Sequence, residues 1–367
     1  MLPCYDKPSK DPRPERGGPV IQFLLKKTKP MKNFYKGLMG VTFSILALCA
    51  GAQDIHFSQF HEAPLYRNPA LAGIMHGDVR AQVVYRSQWN SVANAYKTGS
   101  FNVEYKTKPG NTDDFITWAL QAYYDRSGTT DLTTTIVMPA MNYHKSISEY
   151  RNSYLSAAFM GGLVQRRFDR SKMTTNNQYD YGTDGEGLIG NQYSYWDGSA
   201  GLSYHTELGE KSSNNLVIGA AIHHLNKPRN SFFTASTMAL DPKLTVSADL
   251  KMDVNEFGSV TIYTDFIKQG TYSQMIGGVF YGMKIGPIAE NPDYVLHGGL
   301  FMRWGDAVIP TIKLDYKPFS VSVSYDINLS KLSPASNGMG GFEMSATYTG
   351  FLNKLNSTFE ALKCPRF

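Results

Sequence analysis

Segments in which apolar and strongly polar side chains alternate recur along nearly the whole chain after residue 77, and no other feature constrains the fold as much. In Asp78–Trp89, one face carries Val79, Ala81, Val83, Tyr85 and Trp89, and the other carries Arg80, Gln82, Arg86 and Gln88. Ser320–Asn328 sets Val321, Val323, Tyr325 and Ile327 against Ser320, Ser322, Ser324, Asp326 and Asn328. Successive side chains of a strand point to opposite faces, so this period of two marks strands with one apolar and one polar face. The pattern predicts fourteen strands: 78–89, 99–106, 115–124, 130–143, 153–166, 199–208, 215–225, 243–251, 259–268, 272–281, 296–303, 307–316, 320–328 and 341–350.

Such strands suit a soluble sandwich, which buries the apolar face, or a membrane barrel, which turns that face to lipid. Length favours the barrel: a tilted spanning strand needs about 9–11 residues, whereas strands of soluble proteins average about 5–6. Aromatics fall toward strand ends (Trp89, Tyr105, Tyr124, Tyr143, Tyr204, Tyr281, Trp304, Tyr316 and Tyr348), as interfacial girdles require. An open sheet edge does not survive in hydrocarbon, so the expected fold is a closed transmembrane antiparallel β-barrel. Tyr154–Phe168 and Leu216–Leu225 carry Gly and Ala on both faces, and glycine there is read as marking bends or bulges.

The chain ahead of the strands divides in two. Residues 31–52 have the form of a secretory signal peptide: basic Lys32 and Lys36, an apolar stretch Leu38–Ala50, and Ala50-Gly51-Ala52 before Gln53. Residues 1–30 are rich in Lys, Arg and Pro and are expected to be an over-called or non-native leader. Residues 1–52 hold nine Lys/Arg and three Asp/Glu, a net of +6, so the total of +5 leaves −1 for the rest. The basic balance therefore belongs to the leader, and a nucleic-acid partner loses its support. Of three cysteines only Cys364 lies beyond residue 52, so no internal disulfide is expected.

Motifs of enzyme chemistry are missing. There is no G-x-S-x-G, H-E-x-x-H or phosphate loop, and no Ser–His pairing can be argued from the sequence. His223-His224 should point to opposite faces of a strand and fail to chelate one metal. His56 and His61 with Asp54 and Glu62 lack ligand spacing. Asp180, Asp184 and Glu186 could hold Ca²⁺ but sit in the polar insert Asp169–Asp197, read as a solvated extracellular loop. A non-enzymatic protein with no cofactor or metal is expected.

The remaining distinctive stretch is Gln53–Gly73, QDIHFSQFHEAPLYRNPALAG, rich in aromatics and without alternation. Side chains of buried type outside a strand must pack somewhere. Residues 53–77 are thus expected to be a plug or a periplasmic docking segment, ahead of a barrel over 78–350 and a tail over 351–367.

This stretch resembles the signature of the PorP/SprF family of Bacteroidetes outer-membrane proteins. Gln53-Asp54, Phe57-Ser58-Gln59-Phe60, Pro64-Leu65-Tyr66 and Asn68-Pro69-Ala70 match its pattern. Arg86-Ser87-Gln88-Trp89, His224-Leu225-Asn226-Lys227-Pro228, Arg303-Trp304-Gly305-Asp306-Ala307, Tyr325-Asp326-Ile327-Asn328, Ser330, Leu332 and Gly341-Phe342-Glu343 resemble further family elements. The resemblance implies a barrel of about fourteen strands working in type IX secretion and gliding. It also implies two partners: a secreted surface adhesin with a type B C-terminal domain, and the periplasmic ring lipoprotein of the machine. The docking candidates it suggests are Gln59, Phe60, Pro64, Leu65, Tyr66, Asn68, Pro69, Ala70, Arg86, Trp89, Tyr325, Asp326 and Asn328. The competing expectation from the polar strand faces is a porin or a transporter of hydrophobic compounds, and a soluble periplasmic β-protein is a third reading.

Overall fold

The computed structural model describes residues 54–88, 96–110, 112–148, 150–182, 190–209, 214–233, 238–289, 291–330 and 338–351. Residues 1–30 and 31–52, expected as a leader and a signal peptide, together with Gln53, Trp89, Asp184, Glu186, Leu332 and the residues beyond Phe351, lie outside them.

Fourteen strands form one closed antiparallel barrel in which each pairs with its sequence neighbours and the first closes on the last. They are β1 (Val79–Gln88), β2 (Tyr96–Thr107), β3 (Phe115–Ser127), β4 (Leu132–Ser148), β5 (Ser153–Arg167), β6 (Gln192–Glu207), β7 (Asn215–His223), β8 (Lys243–Asp253), β9 (Gly258–Gln269), β10 (Tyr272–Ile285), β11 (Tyr294–Arg303), β12 (Ala307–Tyr316), β13 (Phe319–Asn328) and β14 (Met339–Gly350). All fourteen predicted strands are present. Closure pairs Val79 with Gly350 and Gln88 with Gly341.

The alternation resolves as an apolar outside and a polar inside. Val83, Tyr85, Phe101, Trp118, Val321 and Tyr348 are exposed outward, while Gln82, Arg86, Asn102, Glu104, Ser322 and Glu343 are buried inward. Among the described residues no helix is long and apolar enough to cross a membrane, so any crossing is made by strands.

Two expectations about elements are corrected. The insert Asp169–Asp197 is not all loop: Gln192–Asp197 already belongs to β6 and pairs with Gly162–Arg167 of β5. It also contains a short helix, Asn176–Tyr181, with a capping box at Thr175 and left-handed Gly182 at its end. Strand β7 stops at His223 because His224 takes a positive φ of 57°. The two histidines are therefore not successive strand positions. Both turn inward and line one cavity.

Strands β5, β7 and β13 end at one rim, from which the long connections to β6, β8 and β14 leave. The short connections 149–152, 254–257 and 317–318 lie at the other, with the start of β1 and the end of β14.

Candidate functional site

A fourteen-stranded barrel is too wide for its own side chains to fill, as about eight strands manage. The interior is occupied by residues 54–77, which run from the long-loop rim to the rim where β1 begins. Three short helical turns fold this stretch: Phe60–Glu62, Pro64–Arg67 with Pro at its first position, and Pro69–Leu71. The Asn68 side chain caps the third by accepting from the Ala70 N–H at 2.8 Å.

Each part of the segment meets a matched part of the wall. At the long-loop end, Glu343 accepts the backbone N–H groups of Ser58 and Gln59 at 2.6 and 2.7 Å and pairs with Arg86. Asp326 accepts from Ser58 Oγ, Arg86 and Arg303 at 2.8, 2.9 and 2.7 Å. Midway, the Arg67 guanidinium donates to both oxygens of Asp249, at 2.6 and 2.8 Å, and to both of Asp265, at 2.6–3.1 Å. Glu62 takes Lys313 at 2.7 Å. At the β1 end, Gly73 N–H donates to Glu104 at 2.7 Å, and Lys106 Nζ donates to the Met75 carbonyl at 2.6 Å.

Apolar contacts fill the intervals. Phe60 joins Ile276, Phe280, Phe301 and Ile309; Leu65 joins Met138, Ala140 and Met160; Phe57 joins Val84 and Tyr123. His61 stacks on Phe301 and Tyr263, with ring centroids 4.9 and 5.1 Å apart. Asn68 is admitted by glycine: a Cβ on Gly201 would stand 1.9 Å from Asn68 Oδ1, and one on Gly219 2.7 Å from Nδ2. Both glycines therefore mark close approach, and at Gly219, within Leu216–Leu225, this stands in place of the expected bend or bulge.

At the long-loop end, above the segment, lies a cavity of about 420 Å³. Ile136, Met138, Met160 and Val164 give it an apolar wall, and Asp54, Asp197, His224 and Lys243 a charged floor. His224 bonds Asp197 at 2.6 Å and Asp54 at 3.0 Å, and Lys243 Nζ donates to Asp54 at 2.7 Å. Burial opposes protonation of His224, but the two carboxylates outweigh it and raise the imidazole to about 9. Burial would raise the Asp54 carboxyl, yet Lys243 and His224 hold it well below the usual range. Because the folded value of His224 exceeds the unfolded one, its contribution is complete below about pH 6.5 and is lost as pH rises through about 9. Limited proteolysis at Asp54–Phe57 should be slow at pH 6–7 and accelerate above pH 9. The His224→Gln variant should lose that dependence, and an unchanged profile in the variant would remove His224 from the latch.

The docking candidates fare differently from expectation. Gln59, Phe60, Pro64, Leu65, Asn68, Pro69, Ala70, Arg86 and Asp326 are buried in the lumen and Tyr66 is half-buried, donating its hydroxyl to the Ile55 carbonyl. With the segment seated, these side chains are enclosed by the barrel wall. Tyr325 is exposed on the outward face, and Asn328 ends its strand half-buried. Arg67 lies inside the motif stretch but outside the expected docking set, although it is the segment's most heavily bonded side chain. Its signal was a lone arginine among residues of buried type. Ser–His contacts do exist, Ser199–His223 at 3.0 Å and Ser156–His144 at 2.7 Å. In both, the other ring nitrogen faces a backbone carbonyl, of Arg67 or Ala72, rather than a carboxylate.

Closed strands with a lipid-type exterior, around a lumen filled by the chain's own leading segment, define a plugged membrane β-barrel. Residues 50–348 match the family described as type IX secretion system membrane protein PorP/SprF, and the chain belongs to that family. No curated protein matches. Among solved structures, the toluene transporter TbuX of Ralstonia pickettii is similar at 10% identity and a TM-score of 0.46, over 78% of this chain and 92% of that one. The CymD monoaromatic hydrocarbon channel gives 10% and 0.44 over 78% and 92%, and the KdgM porin 6% and 0.35 over 73% and 98%. Likeness at that level says nothing about what the barrel carries.

Proposed function

We propose that the protein is a non-enzymatic outer-membrane component of the type IX secretion and gliding machinery. In this reading it helps to secrete or anchor a surface protein bearing a type B C-terminal domain. The observation that carries it is family membership across residues 50–348. The filled lumen adds support, since a barrel crossed by its own ion-paired segment suits work at surfaces better than free diffusion through a pore. The long connections 168–191 and 224–242 then face outside, as barrel loops of that length do, and the rim with the start of β1 faces the periplasm and the ring lipoprotein.

The test is affinity capture of the tagged protein from detergent-solubilised outer membranes, with mass spectrometry of what co-elutes. Recovery of a large adhesin or of the ring lipoprotein is expected. An unaccompanied barrel that conducts ions in planar bilayers would overturn the reading in favour of a porin.

A further inference from the structure

Besides bulges at Tyr325/Ile327 and Ser146/Ser148, the pairing of the described strands lapses at two places, each at a proline. In β12, Pro310 coincides with a gap in the pairing to β13, which runs Val308↔Ile327 and resumes at Thr311↔Ser324. In β4, Pro139 coincides with a gap in the pairing to β5, which runs Val137↔Leu163 and resumes at Ala140↔Met160. Proline brings no N–H to a ladder, and at hydrocarbon depth no water replaces the lost bond. Such a gap is a weak line in the wall.

What lies behind each gap differs. Behind Pro310, Ile309 is fully buried against Phe60 and Phe301, and Asp326 belongs to the Arg86–Arg303 cluster. That gap is backed by a packed core. Behind Pro139 stand Met138 and Met160, both buried and both lining the cavity at the long-loop end. Unbranched thioether chains adapt their shape readily. Gly162 lets the two strands close: a Cβ there would meet the Val137 carbonyl oxygen at 2.0 Å. The seam is thus shut by contact rather than by a full ladder, with a cavity directly inside it and exposed Val137, Pro139 and Leu163 outside.

The cavity has two chemically distinct ends. The apolar wall of Ile136, Met138, Met160 and Val164 adjoins the seam. Arg166 lies four residues beyond Gly162 along β5, about 13 Å at strand rise. Its Nη1 donates to Asn230 Oδ1 at 2.6 Å, Nε has no partner, and no described carboxylate lies within salt-bridge distance. The neighbouring carboxylates are engaged: Asp54 and Asp197 by Lys243 and His224, and Asp125 by the Thr98 hydroxyl at 2.7 Å.

We propose that the β4–β5 seam is a lateral portal through which a single-chain amphiphile with an anionic head, of fatty-acid type, exchanges between this cavity and the surrounding bilayer. The chain lies along Met138, Met160 and Val164, and the head reaches Arg166. The route needs no displacement of the N-terminal segment.

The test uses the full-length protein in phosphatidylcholine vesicles doped with a diazirine-bearing palmitic acid. After irradiation, adducts are mapped by mass spectrometry. Labelling of the Met138 and Met160 side chains well above that of Ile309 and Phe301 is expected. A Val137→Cys/Leu163→Cys pair spans the seam at directly opposed positions, whose Cα spacing in any antiparallel pair falls within disulfide range. Oxidation should lower cavity labelling at least tenfold, and reductant should restore it, so the reduced form serves as its own folding control. Met160→Trp should lower labelling without any lock. Cavity labelling no greater than at Ile309, or labelling that persists in the oxidised form, would overturn the portal; the latter would mean entry from the long-loop mouth.

Discussion

Replacing Arg67 with leucine is expected to cost about 3–5 kcal/mol and to release the middle of the lumen segment. Breaking one side of a buried ion pair leaves the other side uncompensated, and here two carboxylates, Asp249 and Asp265, lose a shared partner at once. Neither can turn to water, because both are buried in the lumen. Denaturant unfolding of the purified barrel should show the loss, and planar bilayers should show conductance absent from the unaltered protein. Adding Asp249→Leu and Asp265→Leu should recover much of the stability, since apolar replacement of a whole buried ionic group is often neutral or better. A loss below about 1 kcal/mol for Arg67→Leu alone would mean that water reaches this site and screens it.

Glu343→Leu should have an effect of similar size by a different route. Its carboxylate accepts two backbone N–H groups of the segment, and each buried donor left unpaired costs about 1–3 kcal/mol. Arg86 is left with Asp326, which Arg303 already engages. Glu343→Gln keeps one acceptor oxygen and presents an amide N–H₂ on the other side, so its effect should fall between. The order leucine, glutamine, unaltered should appear both in unfolding midpoints and in the rate of protease nicking at Asp54–Phe60. Equal behaviour of the two variants would assign the effect to charge alone rather than to the amide contacts.

The wall was legible because lipid outside and polar side chains inside force an alternation onto every strand. Where both faces meet water the constraint lapses, and the pattern places the start of β6 near residue 199 rather than at Gln192. The segment was legible as something that had to pack, from its aromatics and prolines. Its partners were not. Arg67 reaches residues 182 and 198 positions away, and Ser58 reaches Glu343 across 285, separations that leave no local trace. Gly219 reads locally as a bend for a related reason, since it and Gly201 answer to Asn68, far away in sequence.

The contacts of residues 54–77 reach β1, β2, β8, β9, β12, β13 and β14, on different sides of the bore. On β8, β9 and β12 the inward charges Asp249, Asp265 and Lys313 find counter-charges on this stretch, whereas Arg80, Arg86 and Arg303 pair with wall carboxylates and the stretch adds its backbone N–H groups and the Ser58 hydroxyl to those clusters. The segment is therefore a mandrel as much as a stopper. It fits the calibre that fourteen strands set, so a barrel gaining or losing one hairpin would call for a differently sized segment to fill it.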